Sequence, residues 1–286
     1  MPGNFVKQNF PAFLFYVTVT YMVLHHIDIH SHLNLSPLSE NQEVVLAKMR
    51  EMNIGTITVG TGMETSKIAI EIAEKNPDVC WATVGFHPCD GHVPNDESDW
   101  VELEQLANHE QVVAIGETGL DYFRDQSSET KKQQTEIFKK HIELATKVAK
   151  PLMLHVRASK GTDDAYYDAL EILKEVHYPG KANFHFFSGS EKCMQDIVAV
   201  GYTISVDGPI TFSHDYDDMI RACPIESLMI ETDAPYAAPV PYRGKVCEPW
   251  MVTEVASKIA ELKGLDHEIV RVQILKNTQD FFRINP

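Results

Sequence analysis

The stretch Asp28-Ile29-His30-Ser31-His32-Leu33 decides the fold class, because it places two histidines at the end of an apolar run that starts at Val23. Alternate residues of a β-strand point to the same face, so both imidazoles can reach one point in space. Imidazole is a ligand for zinc, nickel and copper. Taken alone, the motif leaves two readings open: a strand with two hydrogen-bonded histidines, or part of a metal site.

Other metal-binding side chains follow short apolar runs in the same way. Such runs end at Glu117, His155, His185 and Asp233. This repeated placement predicts parallel strands whose carboxyl ends converge. The active sites of (β/α)₈ barrels are built at that end of the barrel.

Strand and helix patterns alternate along the chain, without an internal repeat or a low-complexity linker. Strands are predicted near residues 24–30, 56–59, 79–84, 112–117, 151–155, 181–185, 202–206 and 228–233. Eight strand–helix pairs predict an α/β protein with one (β/α)₈ TIM barrel, a fold that typically takes ~250 residues. We assign residues 24–286 to the barrel and residues 1–23 to an N-terminal extension.

Composition narrows the class of protein. A net charge of −16 argues against a protein that grips long nucleic acid through a basic surface. The five cysteines form no Cys-x-x-Cys pair, which favours a reducing compartment, and we expect a cytoplasmic protein. The apolar run 10–24 is shorter than the ~20 residues of a membrane span, so we expect no stable membrane association. Three interpretations stay open for this segment: it directs export or anchoring of the protein, it forms an added strand, or translation truly starts at Met22.

Four histidines and two carboxylates exceed the needs of one tetrahedral ion. They suit two divalent ions that share Glu117, and paired ions stabilise both the attacking and the leaving oxygen of a hydrolysis. Asp233 can bind one ion and also accept the proton of the attacking water. Its alternative role is a turn cap before Ala234-Pro235. The metal stays open between magnesium, manganese, zinc and nickel.

Three further residues are candidates for binding an anionic substrate. His87, in Gly85-Phe86-His87-Pro88, either donates to a phosphate or lies in a loop. Arg157 lies two residues after His155, so both side chains point to the same face of the strand. Its guanidinium can hold an anion with two N–H donors. Arg243 lies in a stiff proline-rich loop, either near the barrel mouth or solvated on the surface.

Seven blocks occur in a fixed order between about Ile27 and Arg283. They are Asp28-x-His30-x-His32-Leu33, Gly85-x-His87-Pro88, Gly116-Glu117-Thr118-Gly119-Leu120-Asp121-Tyr122, His155-x-Arg157, His185-x-Phe187-Ser188-Gly189, Glu231-Thr232-Asp233-Ala234-Pro235-Tyr236 and Ala238-Pro239-x-Pro241-x-Arg243-Gly244-Lys245. In this combination the chain resembles the TatD-type metal-dependent deoxyribonucleases of the amidohydrolase-like superfamily. The resemblance implies a two-metal hydrolase of DNA phosphodiesters that works from the 3′ end.

The resemblance also implies roles for individual residues. His30 and His32 match the ligands of the first ion, and Glu117 matches the bridge. His155 and His185 match the ligands of the second ion, and Asp233 matches the catalytic carboxylate. His87, Arg157 and Arg243 match residues on the substrate side. Phe186 stands where Cys is common in the family, and the segment before Leu24 has no counterpart in its pattern. Two further features depart from that pattern. Cys247 stands in a loop where Asn is usual, which leaves its reactivity open, and residues 159–167 form a longer segment.

Two other functions stay open. One is a hydrolase of the same superfamily that acts on an amide, a lactone or a phosphotriester; many such relatives use a carboxylated lysine as the bridge, where this chain has Glu117. The other is a catalytically inactive binding protein, which predicts a broken ligand set, and no ligand is missing. DNA ends or single-stranded DNA are the expected substrates, because the acidic surface offers few cations to a long duplex.

Overall fold

Eight parallel strands alternate with helices in the computed structural model, which describes residues 23–89, 94 and 96–284. The strands are β1 (His26–Ser31), β2 (Ile54–Val59), β3 (Cys80–Val84), β4 (Val112–Asp121), β5 (Leu152–Arg157), β6 (Ala182–His185), β7 (Thr203–Val206) and β8 (Leu228–Ile230). The helices are α1 (Gln42–Glu51), α2 (Met63–Lys75), α3 (Glu97–Ala107), α4 (Ser128–Val148), α5 (Asp164–Glu175), α6 (Glu191–Ala199), α7 (Asp217–Ala222), α8 (Val252–Lys263) and α9 (His267–Phe282).

Each strand pairs in parallel with the next one along the chain, from β1 to β8. The last strand then returns to the first. The backbone N–H of Asp233 donates to the carbonyl of His30 at 2.9 Å, and that of His32 donates to the carbonyl of Ala234 at 2.7 Å. The predicted single (β/α)₈ barrel is confirmed, and its first and last strands meet where the candidate ligands lie.

The helices cover the strands with one apolar face each. In α4, Phe138, Ile142 and Ala145 recur at helical spacing and are buried, while the opposite face is polar. At ~25 cal/mol per Å² of apolar surface removed from water, these faces are the main favourable term that holds the helices on the barrel. The strand ends are left open to carry polar side chains.

Two strands run beyond their predicted ends. β4 continues past Glu117 to Asp121, and β5 continues past His155 to Arg157. Glycines permit this pairing: Gly116 and Gly119 have φ of +157° and +143°. A Cβ at these positions would lie 2.4 Å from the carbonyl oxygen of Met153 and 2.1 Å from that of His155. Only glycine allows β4 to approach β5 so closely.

β4 also carries a bulge beside Glu117. Ile115 pairs with Leu152, but the next pair is Thr118 with Leu154, so β4 has one residue more than β5 over this interval. A bulge re-aims the side chains next to it. The fold therefore sets the direction of Glu117 at the barrel mouth.

The predictions for residues 1–22 lie outside the described residues. Within the described ranges, no helix combines the length and the apolar character that crossing a membrane requires.

Candidate metal centre

The first group of ligand atoms comes from β1 and the segment after β8. Nε2 of His30 lies 3.3 Å from Nε2 of His32. Oδ1 of Asp233 lies 3.6 Å from the first of these nitrogens and 3.4 Å from the second. Both histidines are buried, so their rings have few alternative positions.

The backbone of Asp233 explains how its carboxylate reaches this group. Asp233 lies three residues beyond the end of β8, rather than on the strand itself. It adopts φ of +53°, a left-handed conformation that is uncommon outside glycine but that Asp tolerates. Its N–H bond to the carbonyl of His30 holds this conformation against β1.

The carboxylate of Glu117 faces two groups of histidines with its two oxygens. Oε2 lies 3.4 Å from Nε2 of His30. Oε1 lies 2.9 Å from Nδ1 of His155 and 2.8 Å from Nε2 of His185. Glu117 is almost fully buried between them. A carboxylate in this position has the geometry of a shared ligand.

Two buried carboxylates orient these histidines, and the sequence assigns neither of them a role. Oδ2 of Asp121 lies 3.1 Å from Nε2 of His155. Oε1 of Glu231 lies 3.4 Å from Nδ1 of His185. Histidines that bind metals commonly use their second nitrogen in this way. Both carboxylates stand in the quoted sequence blocks, but only contacts across the barrel reveal their partners.

The spacing of the donor atoms fits divalent cations. Two donors that bind one ion at ~2.1 Å lie roughly 3.0–3.4 Å apart. The atoms of His30, His32 and Asp233 are separated by 3.3–3.6 Å. The second group is distributed over two triads, one of His30, Glu117 and His185 and one of His87, Glu117 and His155. Imidazole and carboxylate donors together suit zinc, manganese or nickel.

Electrostatics keep both central carboxylates ionised. Burial on its own would raise the pKa of Glu117, but electrostatic interactions with His87, His185 and His30 hold it well below its usual value. Burial likewise opposes ionisation of Asp233, but the hydrogen bond from His32 and the charge of His30 lower its pKa. Ionised carboxylates are the form that binds a cation.

A cavity of about 550 Å³ opens above these residues. Its lining includes His32, Glu117, His155, His185 and Asp233. None of the lining residues comes from the longer segment 159–167. The ligand groups therefore form the floor of a space that is large enough for part of a substrate.

His87 lies inside this cavity, and its contacts indicate a donor role. Nδ1 of His87 accepts the backbone N–H of Cys89 at 3.1 Å, so the proton of the neutral ring is assigned to Nε2. Nε2 in turn lies 3.4 Å from Oε1 of Glu117. The ring thus presents an N–H group towards the cavity.

The structure separates the two arginines predicted on the substrate side. Arg157 lines the cavity, with its guanidinium carbon 4.0 Å from the ring centre of Phe123. Arg243 does not line the cavity; its guanidinium lies 3.5 Å from the ring centre of Phe212. Arg124 also lines the cavity and was not among the predicted residues. It lies two residues after the sequence block that ends at Tyr122, which is the signal that its position offered.

Cys247 is not a reactive residue. Its side chain is fully buried, with Sγ 4.0 Å from the carbonyl oxygen of Thr232. Burial raises the pKa of the thiol above its usual range, so the thiolate is not formed near neutral pH. The loop that carries Cys247 folds inward onto Pro235, a contact that the sequence does not reveal.

A barrel with histidines and carboxylates at its strand ends defines a class of metal-dependent hydrolases, and comparison with known proteins identifies the family. The family model described as "TatD related DNase" matches residues 27–283. The chain belongs to this family and is a metal-dependent hydrolase.

Three relatives illustrate the similarity. The chain is 35% identical over 262 residues to a Bacillus subtilis (strain 168) protein named "Uncharacterized metal-dependent hydrolase YabD", covering 90% of this chain and 99% of the relative. The structure of YJJV, a TatD homolog from Escherichia coli K12, superposes with a TM-score of 0.82 and 26% identity over 91% of this chain and 99% of that one. A TatD family hydrolase from Entamoeba histolytica gives a TM-score of 0.81 and 26% identity, with coverage of 91% and 99%.

Proposed function

We propose that this chain is a two-metal deoxyribonuclease that removes nucleotides from the 3′ end of DNA. One observation carries the proposal: both oxygens of Glu117 face imidazole nitrogens, Oε2 that of His30 at 3.4 Å and Oε1 those of His155 and His185 at 2.8–2.9 Å. A site for a single ion does not require a carboxylate whose two oxygens both face histidine nitrogens. The family description, which names a DNase, supports phosphodiesters as the substrate class.

In this proposal the ligands divide into two sets around Glu117. His30, His32 and Asp233 hold one divalent ion, and His155 and His185 hold the other. When bound, two such ions lower the pKa of a water molecule and stabilise the attacking and leaving oxygens. Magnesium, manganese, zinc and nickel are all compatible with these ligands.

The chain's own residues then handle protons and the phosphate. Asp233 lines the cavity and is ionised, so its carboxylate can accept the proton of the attacking water. The Nε2–H group of His87 points into the same space and can donate to a phosphate oxygen. Arg124 and Arg157 bring positive charge to the cavity of an acidic protein.

The shape and charge of the protein favour strand ends. A cavity of about 550 Å³ accepts the end of one strand rather than an intact duplex. A net charge of −16 also disfavours contact with a long duplex, because few cations are available to displace its counterions. No disulfide joins any of the five cysteines, which supports action in a reducing compartment such as the cytoplasm.

The test uses one single-stranded oligonucleotide in two forms, linear with a 5′ label and closed into a circle. After treatment with a chelator, the protein is expected to be inactive, and each divalent metal is then added back separately. We expect stepwise shortening of the linear strand from its 3′ end, no cleavage of the circle, and two bound ions per chain by metal analysis. Equal cleavage of linear and circular strands would contradict an exonuclease. Hydrolysis of lactones or phosphotriesters without any cleavage of DNA would refute the nuclease proposal.

A further inference from the structure

An arginine and a phenylalanine form an exposed stack at the rim of the cavity. Phe123 is the second residue after the end of β4, and 48% of its surface is exposed. Arg157 ends β5, and its guanidinium carbon lies over this ring, 4.0 Å from the ring centre. Stacking on the ring fixes the plane of the guanidinium while its outer face stays open.

The cations at this rim have no carboxylate partners among the described residues. Arg124 and Arg157 both line the cavity, and neither guanidinium forms an ion pair or a hydrogen bond within the described ranges. Elsewhere Arg50 is paired with Asp78 at 2.6 Å, whereas Arg243 lies on the ring of Phe212, outside the lining of this cavity. In a chain of net charge −16, two unpaired guanidiniums beside one cavity indicate a site for an anion.

Asp121 ties this stack to the metal centre. Its Oδ1 accepts the backbone N–H groups of Phe123 at 3.0 Å and Arg124 at 3.1 Å. Its Oδ2 lies 3.1 Å from Nε2 of His155. The backbone N–H of Tyr122 donates to the carbonyl of Arg157 at 2.8 Å. One buried carboxylate thus sets the position of the stack relative to the ligand His155, which makes the stack preorganised for a substrate on the metal centre.

We propose that the Phe123–Arg157 stack is a platform for an unpaired nucleobase next to the phosphate that is cleaved. This inference rests on the proposed nuclease function and names how the strand end is recognised. The open face of the Arg157 guanidinium stacks on the base, and Arg124 lies on the phosphate. Stacking needs a base that has left its duplex partner, and it tolerates any base because every base has a π-face.

The experiment compares two single-stranded oligonucleotides of equal length. One carries bases on its last two 3′ nucleotides, and the other has abasic sugars at both positions. The wild type is compared with two variants. Arg157→Lys keeps the positive charge but removes the planar guanidinium, and Phe123→Leu removes the aromatic ring on which that guanidinium stacks. Arg221→Lys is the matched control, since it makes the same change on an exposed arginine outside the catalytic cavity.

We expect the wild type and Arg221→Lys to favour the base-bearing end by about 5- to 150-fold in kcat/KM, the range that stacking of one base supplies. In Arg157→Lys and Phe123→Leu the ratio of the two kcat/KM values should fall towards one. This ratio is insensitive to partial unfolding, because loss of active enzyme affects both substrates equally. A wild-type ratio near one, or an unchanged ratio in both variants, overturns the platform. If the wild type with metal cleaves neither oligonucleotide, the proposed function itself fails and this inference with it.

Discussion

Replacing Asp28 by alanine is expected to loosen the junction between the first and last strands of the barrel. Asp28 is fully buried. Its Oδ1 accepts the backbone N–H of Thr232 at 2.9 Å and that of His30 at 3.2 Å, and its Oδ2 accepts the Thr232 hydroxyl at 2.7 Å. These bonds hold the residue before Asp233 and the candidate ligand His30 in one position.

The magnitude follows from the donors that alanine would leave without partners. Two buried N–H groups lose their acceptor, and each such group costs ~1–3 kcal/mol. The expected loss from these two groups is therefore about 2–6 kcal/mol, not counting the Thr232 hydroxyl or the small space left by the carboxyl group. With ~2–4 °C per kcal/mol for a somewhat smaller chain, Tm should fall by roughly 5–20 °C.

Asp28→Asn provides the matched control. Its amide oxygen can accept the same two N–H groups, and the Thr232 hydroxyl can rotate to accept from the amide nitrogen. The asparagine variant should therefore lose no more than about 1 kcal/mol.

Thermal unfolding followed by circular dichroism measures the difference. The scans are made first with a chelator, because a bound metal adds its own stabilisation, and then with metal. The increase in Tm on adding metal should be smaller for the alanine variant, since His30 and Asp233 lose a shared support. A metal-free alanine variant that melts with the wild type would refute the reasoning. An asparagine variant as unstable as alanine would show that charge, rather than hydrogen-bond geometry, stabilises the junction.

Three further outcomes are expected. Asp233→Asn should retain metal but lose ~10²- to 10⁴-fold in turnover, because an amide cannot take up the proton; near-normal turnover in a rate assay beside metal analysis would exclude the general-base role. Burial opposes ionisation of Asp164, but hydrogen bonds from Ser159 lower its pKa to about 2, so its stabilising effect is present above the usual carboxyl pKa and is lost as pH falls towards 2. The Tm difference between the wild type and Asp164→Asn should accordingly shrink below pH ~4, and a constant difference down to acid pH would contradict this. A chain that starts at Met22 should fold and keep metal-dependent hydrolysis, since β1 starts at His26; insolubility would show that the preceding apolar run packs on the barrel.

The order of strands and helices and the choice of candidate ligands were accessible from the sequence alone. Apolar runs that end in His30, Glu117, His155 and His185 are local patterns, and a parallel barrel brings the carboxyl ends of its strands together whatever its loops do. The predicted barrel is confirmed, and the structure places the six candidate ligands in three overlapping groups that share His30 or Glu117.

The orientation of the side chains around the candidate ligands depends on tertiary contacts. The sequence predicts the same substrate-binding role for Arg157 and Arg243, but Arg157 lines the cavity and Arg243 lies on the ring of Phe212. Cys247 is turned away from solvent by the fold of its loop. Asp121 meets His155 from a position 34 residues away. Strand periodicity fixes the side of a sheet that a residue faces, whereas the partner of a side chain beyond the strand end is chosen by packing between segments that are distant in sequence.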